Sequence, residues 1–326
     1  MPAESSAAAP IPPPSPEGHE ARRRASGLMA ALACFTMWGL VPVYWKQIPY
    51  VTADEMVMHR IVWSLIFVGG LLFAQRAWGD IRRQWSTRTF GWAALAGGAV
   101  TVNWWLFLWA VNNSRVIDTS LGYFLMPLFN LVIGLAYFRE RLRPWQVVAV
   151  ALAAAGVAFA FAKHSGLPWV SLALCGAFGA YGALRKKSHL DSLPGLFFET
   201  LAMTPLAICW LAGRQLAGTA AFGLHDLHAS VYLIGGGVIT AVPLLWFSHA
   251  ARRLPLTTVG FLQYITPSLT FLLGAAVYHE PVTSDRLIAF GCVWTGLAVF
   301  TAEAVWQRRR AAAPVSALTP ADAPPV

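Results

Sequence analysis

The chain has 326 residues, of which 57% are hydrophobic and only 12% are charged, and its formal net charge is +9. A soluble domain carries about 25% charged residues, so this composition excludes an ordinary water-soluble globular protein and indicates a membrane protein. All but two of the 24 Lys and Arg residues are spread over separate loops and tails, which makes nucleic-acid binding a poor interpretation of the basic charge.

Long apolar stretches follow one another with short gaps and predict an all-α polytopic membrane protein. Most of these stretches are close to the roughly 20 residues that cross about 30 Å of hydrocarbon. Residues 1–27 and 307–326 are predicted to be disordered tails, because their polar, Ala- and Pro-rich composition cannot build a core. The ten predicted spans are 28–47, 54–75, 90–112, 116–138, 144–163, 167–185, 192–213, 229–250, 255–278 and 286–306.

The second half of the chain repeats the first at a gapless offset of 140 residues, so that residues 28–163 and 164–306 form two copies. Five spans per copy is an odd number, so the second copy must be inverted in the membrane. Two fused inverted copies are typical of secondary transporters, whose substrate site lies between the repeats. The matched residues include Gly39 and Gly179, Lys46 and Lys186, Pro127 and Pro267, Gly134 and Gly274, Glu140 and Glu280, Ala149 and Ala289, and Gly156 and Gly296.

The distribution of basic residues predicts the orientation. If the N-terminus is cytoplasmic, 18 of the 24 Lys and Arg residues fall in inner loops and tails, and four fall in outer loops. The remaining two, Lys46 and Arg60, lie within spans. This positive-inside bias predicts that both termini are cytoplasmic.

The fourth and ninth predicted helices carry matching stripes of polar and small residues at helical spacing. One interpretation is a symmetric pair of helices that line a substrate path, where each proline loosens a carbonyl one turn earlier. The alternative is close helix packing, with the prolines only bending the helices. The stripes are Ser120, Tyr123, Pro127, Asn130 and Gly134 on the fourth helix, and Gly260, Gln263, Pro267, Thr270 and Gly274 on the ninth.

Charged residues inside spans are costly and mark candidate sites. We expect Arg60 to attract an anionic or polar substrate group, with Glu199 as its counter-ion or as a protonatable switch. His59 precedes Arg60 and is the repeat partner of Glu199. The alternative is a structural network that holds the repeats together. Lys46, at the outer end of the first helix, either snorkels to the interface or contacts substrate.

The third predicted helix offers Asn103 and Trp104 as one wall of a site for an organic substrate, although lipid anchoring competes for some of its other Trp residues. The four Cys residues are widely spaced and predict no disulfide or metal set. No metal or cofactor is predicted. A homodimer through the small-residue face at Gly176, Gly179 and Ala183 is possible, but the same face can pack internally.

Several stretches resemble one known family, the RarD-type proteins of the EamA group within the drug/metabolite transporter superfamily. The similar stretches, which extend from about 28 to 306, include Trp38–Lys46, Ala53–Arg60, Asn103–Asn113, Arg139–Pro144, Tyr181–Lys187 and Gly260–Ile265. The resemblance implies ten helices in two inverted repeats and a carrier of the bacterial inner membrane without an enzymatic cofactor. Founding members of this family carry a chloramphenicol-sensitivity label, which says little about the physiological substrate. The family pattern tends to have Asn before the fourth-helix proline, where this chain has Met126, so that a polar contact is expected to be missing.

Together these observations predict a secondary transporter of a small metabolite or drug-like solute, driven by protons, exchange or a substrate gradient. A passive channel is the alternative, and an intramembrane enzyme is a remote third because no nucleophile–base or metal motif is present. The candidate residues of the site are Trp38, Tyr44, Lys46, His59, Arg60, Asn103, Trp104, Tyr123, Asn130, Glu199, Gln263 and Tyr264, with Pro127 and Pro267 as helix-bending residues.

Overall fold

The structure is a computed structural model that describes residues 16–112, 116–162, 169–223, 225–279, 282 and 284–312. Regular secondary structure in these residues is helical, apart from one isolated β-bridge between Gly223 and Asp226. The helices are α1 (Pro16–Trp45), α2 (Ala53–Ala74), α3 (Trp78–Gln84), α4 (Thr87–Asn112), α5 (Val116–Ala136), α6 (Pro144–Ala162), α7 (Trp169–Lys187), α8 (Ser192–Leu216), α9 (Leu227–Ala251), α10 (Leu256–Gln263), α11 (Ile265–Ala276) and α12 (Ser284–Ala312).

Every predicted span overlaps a helix of the structure, and the ninth span corresponds to α10 and α11 together. Among the described residues, seven spans are long and apolar enough to cross a membrane. The structure differs from the sequence prediction at the tails. Helix α1 begins at Pro16, inside the segment predicted to be disordered, and the Arg23 guanidinium lies 3.4 Å from the Arg252 carbonyl oxygen. Ala, Glu and Arg favour helix, and this contact with the loop after α9 anchors the first turns.

Successive long helices run in opposite directions, so the loops gather at two ends of the bundle. The "basic end" contains the start of α1 and the loops 75–86, 137–143, 188–191 and 252–255. The "far end" contains the loops 46–52, 217–226 and 277–283, of which residues 224, 280, 281 and 283 are not described. Contacts join the segments of each end, such as Arg23 with Arg252 at the basic end and Glu55 with Ala221 at the far end.

The helices of the two copies exchange partners in a symmetric way. Helix α1 packs on α9 and α11, and its repeat partner α7 packs on α4 and α5. Helix α2 contacts α8 and α9, while α8 contacts α2 and α4, and α6 pairs with its own repeat partner α12. Each copy therefore buries its apolar surface against the other, and neither forms a separate core.

The glycines that repeat at the 140-residue offset lie at these contacts. A Cβ on Gly156 would lie 2.8 Å from the Ala289 carbonyl oxygen, and one on Gly296 would lie 2.7 Å from the Ala149 carbonyl oxygen. Because real Cβ atoms essentially never come this close to a backbone atom, only glycine allows α6 and α12 this approach. The glycines that match between the two copies are therefore explained by close packing of one copy against the other.

The two proline-containing helices do not have the same shape. Helix α5 continues through Pro127, but the ninth predicted span ends one helix at Gln263 and begins the next at Ile265. Proline lacks an N–H, so the carbonyls of Tyr123 and Gln263, four residues earlier, lose their usual intrahelical partner. These two loosened turns lie at corresponding positions of the two copies.

Candidate functional site

A cavity of about 900 Å³ lies between the two copies and is by far the larger of the two principal cavities of the described residues. Its volume falls at the upper end of the range for small-molecule sites. Nine aromatic side chains contribute to its wall: Trp38, Trp45, Trp104, Phe107, Tyr123, Phe124, Phe178, Phe271 and Phe290. The polar and charged residues of the lining are Lys46, Arg60, Asn103, Gln263, Thr266, Thr270 and Asp285.

The cavity reaches the surface at the far end. Lys46, Pro49 and Asp285 line it, and all three are exposed. The innermost part is lined by Trp38, Phe178, Met126 and Gln263, which lie near the middle of their helices or at the break after α10. A solute of metabolite size therefore has access from the far end to the centre of the bundle.

Toward the basic end, the cavity stops at a layer of packed aromatic rings. This "aromatic layer" consists of Phe35, Trp38, Phe178, Tyr181 and Phe247, which come from α1, α7 and α9. The Trp38 and Phe178 ring centroids are 5.7 Å apart, and Tyr181 stacks on Phe247 at 5.7 Å. Phe35, Tyr181 and Phe247 have no exposed surface. Ring contacts of this kind add specific attraction to the apolar burial and seal the interior.

A polar contact and a close backbone approach reinforce this closure. Asn130 is fully buried and donates a hydrogen bond to the Gln263 amide oxygen at 2.7 Å. One turn away, a Cβ on Gly260 would lie 2.6 Å from the Pro127 carbonyl oxygen. Helices α5 and α10 therefore cross in direct contact on the basic side of the cavity. The amide nitrogen of Gln263 lies 3.7 Å from the Met126 sulfur, a weak acceptor at the position where the family pattern tends to have Asn.

Arg60 presents its guanidinium to the cavity wall. Its Nε donates to the Thr240 hydroxyl at 2.7 Å, and the guanidinium carbon lies 4.2 Å from the Trp104 ring centroid and 5.7 Å from that of Trp45. These contacts fix the group by one hydrogen bond and by cation–π attraction. Among the described residues, no carboxylate lies within 4.0 Å of it.

Glu199 is not the counter-ion of Arg60, which corrects one of the two sequence-based roles for this residue. The Glu199 carboxylate pairs with Arg185 at 2.9 Å and accepts from the Tyr181 hydroxyl at 3.4 Å. Arg185 also donates to the Ser248 hydroxyl and to the Ser192 carbonyl at 3.3 Å. The pair is almost completely buried behind the aromatic layer, so it ties α7, α8 and α9 together and does not line the large cavity.

Arg60 and Glu199 nevertheless share a second, small void. It has a volume of about 20 Å³ and is also lined by Ser64, Thr200 and Thr240. The Ser64 hydroxyl donates to the Gly237 carbonyl and the Thr200 hydroxyl donates to the Leu196 carbonyl, so the void does not link the two charges by a polar contact.

His59 and Tyr44, which the sequence indicated as cavity residues, lie outside the cavity. The His59 ring packs against Phe222 with the centroids 4.7 Å apart, and it accepts a hydrogen bond from the Trp63 indole at 3.3 Å. The Tyr44 hydroxyl donates to the Tyr232 carbonyl at 2.7 Å. Tyr44 contacts α9 and His59 contacts the loop before it; Tyr44 lies on the opposite side of α1 from Lys46, and His59 lies about 100° around α2 from Arg60.

Tyr264, Asn130 and Pro127 also do not line the cavity, since their side chains are buried beside it. Tyr264 lies at the break between α10 and α11 and packs with Ala153 and Val293. The candidate residues that line the cavity are Trp38, Lys46, Arg60, Asn103, Trp104, Tyr123, Gln263 and Pro267. Asn103 satisfies its amide by donating to the Leu174 carbonyl at 2.8 Å.

The repeated lysines occupy corresponding positions at the two ends. Lys186 lies 4.9 Å above the Phe138 ring at the basic end, and Lys46 lies 3.0 Å above the Tyr278 ring at the far end. Phe138 and Tyr278 are themselves related by the offset of 140. Lys186 in addition pairs with Glu140 at 2.8 Å. Glu280, the repeat partner of Glu140, is outside the described residues.

Glu140 closes the basic end by capping α10. Its carboxylate accepts from the backbone amides of Leu256 at 2.7 Å and Thr257 at 2.9 Å, as well as from Lys186. Its side-chain partner is therefore Lys186, and the helix end that it caps is the start of α10. Burial by itself raises the pKa of Glu140, but the hydrogen bonds from Lys186, Thr257 and Leu256 outweigh it, so the pKa is lower than usual.

Arg185 and Glu55 are buried charges that escaped the sequence analysis. Arg185 was assigned to the basic loop cluster, and Glu55 was noted only within the family resemblance. Glu55 is fully buried and accepts from the backbone amides of Ala221 and Phe222, at 2.7 and 3.2 Å, with Arg214 at 3.5 Å. Each lies in the terminal turns of a helix, where sequence alone does not distinguish a solvated charge from one covered by a neighbouring loop. The repeat gave no signal either, because Arg185 corresponds to Trp45 and Glu55 to Gly195.

Comparisons with known proteins agree with this architecture. Residues 25–162 and 167–302 each match the EamA-like transporter family. Protein RarD of Salmonella typhimurium is 39% identical over 292 residues, which cover 89% of this chain and 99% of that protein. The Chloramphenicol-sensitive protein RarD of Pseudomonas aeruginosa is 31% identical over 82% of this chain and 91% of that protein.

A solved crystal structure with a TM-score of 0.67 covers 85% of this chain and 97% of its own, at 16% identity, and shows likeness of fold alone. The uncharacterized transporter YojE of Bacillus subtilis is 38% identical over 86% of this chain and 96% of its own length. With both copies matched and relatives aligned over nearly their full length, the chain belongs to the EamA-like transporter family of the drug/metabolite transporter superfamily and is an integral membrane transporter related to RarD.

Proposed function

We propose that this protein is a secondary carrier that exports or exchanges a small metabolite or drug-like solute by alternating access. In this proposal the two copies rock around the central cavity, which faces the far end in the present conformation. Energy comes from protons, a counter-substrate or the substrate gradient. The proposed role of the chain is transport without an enzymatic step.

One observation supports alternation above the others: the residues that close the basic end have repeat partners that line the open cavity. Asn130 and Gln263 form the buried contact on the basic side. Their repeat partners, Thr270 and Tyr123, both line the cavity. An exchange of roles between these pairs would close the far end and open the basic end with contacts of the same kind, as expected for inverted repeats.

The proposed topology has ten membrane spans, with α10 and α11 as one broken span and α3 outside the membrane. The basic end faces the cytoplasm and both termini lie there, because 18 of the 24 Lys and Arg residues belong to that side. The membrane is the bacterial inner membrane. The open mouth of the cavity then faces the periplasm. Labelling of single cysteines placed in the loops at 75–86 and 217–226, in intact cells and in inverted vesicles, tests this orientation.

A cross-linking experiment tests alternation without knowledge of the substrate. In a variant whose four native cysteines are replaced by alanine, Tyr123→Cys and Thr270→Cys place a thiol on each side of the mouth. A disulfide between them traps the conformation with the mouth closed. A third substitution, Asn130→Cys, places a thiol that is fully buried in the present conformation. For a carrier, closing the mouth makes position 130 reactive toward a membrane-impermeant maleimide from the basic side.

The same protein before oxidation serves as the control, and it should react slowly at position 130. A passive channel is the competing function, and it predicts that closure of the mouth leaves position 130 unreactive, because its two ends need not open alternately. That result would exclude the alternating-access mechanism. In proteoliposomes, saturable flux with stimulation by solute on the opposite side would support the carrier, and flux linear in concentration would support the channel.

A further inference from the structure

The charge inside the cavity points to the chemical class of the solute. Arg60 lies seven residues after the far-end start of α2 at Ala53, about 10 Å deeper than the mouth. It is the one cationic residue described along the deep part of the wall, since Lys46 lies at the mouth. Of the carboxylates that the structure describes, only Asp285 lines the cavity, and it is exposed at the mouth. The deep wall therefore carries a positive charge without a negative partner among the described residues.

The contacts of Arg60 orient the guanidinium and leave part of it available. Its Nε is used by Thr240, and one face of the group is covered by Trp104. Within the described part of the chain, the two terminal nitrogens of Arg60 donate no hydrogen bond, and Arg60 is partly exposed and lines the cavity. A planar guanidinium held in this way presents two parallel N–H groups, which match the two oxygens of a carboxylate.

The rest of the wall selects for an apolar body next to that anionic group. Trp38, Phe178 and the covering Trp104 surround the deep part of the cavity with aromatic surface. Other polar groups at this depth are largely committed, since Asn103 donates to Leu174 and the Gln263 oxygen accepts from Asn130. A solute with many hydroxyl groups would lose hydration here without gaining partners.

We propose that the solute is an organic carboxylate with an aromatic or branched apolar body, whose carboxylate pairs with Arg60. The inference rests on the assignment of this cavity as the substrate site. The pair would be formed in a low-dielectric setting with water largely displaced by the apolar body, where a charge-assisted bidentate contact is strongest. Arg60 and Lys46, which lies at the mouth, repel cationic solutes. Neutral amides lack the negative charge that would attract the Arg60 guanidinium.

Binding to the intact purified protein tests this proposal with three probes of the same shape: 3-phenylpropanoate, 3-phenylpropanamide and 3-phenylpropylamine. Titration calorimetry in detergent, with thermal stabilisation as a second readout, should show saturable binding of the carboxylate. The amide and the amine should bind at least about tenfold more weakly, the value expected for loss of a charged hydrogen-bonded pair. Propanoate, which lacks the ring, should also bind more weakly than 3-phenylpropanoate.

Substitution of the cation gives the second arm. Arg60→Gln should weaken binding of 3-phenylpropanoate by about tenfold or more and should leave the amide unaffected, whereas Arg60→Lys should retain part of the carboxylate preference. Arg88→Gln, at an exposed position on α4 outside the cavity, is the matched control and should bind as the parent does. If Arg60→Gln does not fold, the comparison of the three probes on the parent protein decides the matter alone.

Equal binding of the amide or the amine would overturn the proposal, as would undiminished carboxylate binding by a folded Arg60→Gln variant. Absence of saturable carboxylate binding up to about 10 mM would overturn it as well. The binding measurement does not require transport. The carboxylate preference can therefore be measured even for a protein that fails the cross-linking test of alternation. Failure of the carrier mechanism and failure of the solute class are therefore separate results.

Discussion

The two ends of the bundle are built from the same repeated sequence, yet only one of them is closed. At the basic end, Asn130 meets Gln263 and Phe247 belongs to the aromatic layer. At the far end, Phe107, the repeat partner of Phe247, lies on the open cavity wall. The same residue type at the same repeat position is thus packed on one side and accessible on the other.

In the proposed carrier mechanism, the repeat encodes two half-sites that exchange roles, and the charges encode the asymmetry between them. The basic end has the buried Arg185–Glu199 pair, whereas the repeat partners of these residues are Trp45 and His59 at the far end. The far end has Arg60 beside the cavity, whereas its repeat partner in the second copy is the uncharged Thr200. The polar residues that break the symmetry are therefore the ones to change in order to test it.

Loss of Arg185 should produce the largest effect. Arg185→Leu leaves the Glu199 carboxylate buried without its cation, which should lower the free energy of unfolding by about 3–5 kcal/mol. The thermal midpoint in detergent measures this loss. The double variant Arg185→Leu/Glu199→Leu should recover a large part of it, because both buried charges are then removed. A single variant as stable as the parent would show that the pair does not hold the basic end closed.

The next largest effect is expected where α5 and α10 cross. Gly260→Ala places a Cβ against the Pro127 carbonyl oxygen, a backbone atom that cannot rotate away, and should cost about 1–3 kcal/mol. Gly98→Ala is the matched control, since no neighbouring atom lies within 4 Å of its Cβ position. Gly98→Ala should be neutral or slightly stabilising. Equal thermal midpoints for the two variants would contradict a close-packed crossing at the basic end.

A smaller effect should separate the repeat partners Asn130 and Thr270. Asn130→Ala leaves the buried Gln263 oxygen without its donor and should cost about 1 kcal/mol or somewhat more. Thr270→Ala removes a long hydrogen bond, 3.3 Å to the Gly39 carbonyl, from an exposed residue and should cost less than about 0.5 kcal/mol. Chemical or thermal unfolding of both variants gives the comparison. A larger loss for Thr270→Ala would reverse the assignment of the closed end.

The smallest shift at neutral pH is expected for Glu140→Gln, because the glutamine retains a carbonyl oxygen that accepts from the start of α10. The pKa of Glu140 in the folded protein lies below its ordinary 4.5, so its contribution to stability is present above that pH and is lost as the pH falls below it. The difference in thermal midpoint between parent and variant should therefore shrink on acidification from pH 7. A difference independent of pH would show that the charge of Glu140 does not stabilise the basic end.

The sequence alone determined the architecture of this protein because its signals are local or periodic. Apolar length marks the helices, the offset of 140 residues relates the copies, and the prolines and glycines mark the turns that face the cavity or the other copy. It also placed Arg60, Trp104, Tyr123 and Gln263 on the cavity wall, because charged or polar residues inside a span are unfavourable in lipid and usually face a cavity or a partner helix.

Only the tertiary structure decided which partner each buried charge has and which end is closed. Glu199 pairs with Arg185 and not with Arg60, and Glu140 caps α10 across a sequence separation of more than a hundred residues. Such pairs depend on the direction in which a side chain leaves its helix and on which loop covers a helix end. In the proposed alternating-access mechanism either end can be open, and the choice then depends on a small difference in free energy between two packed arrangements, which the sequence pattern does not express.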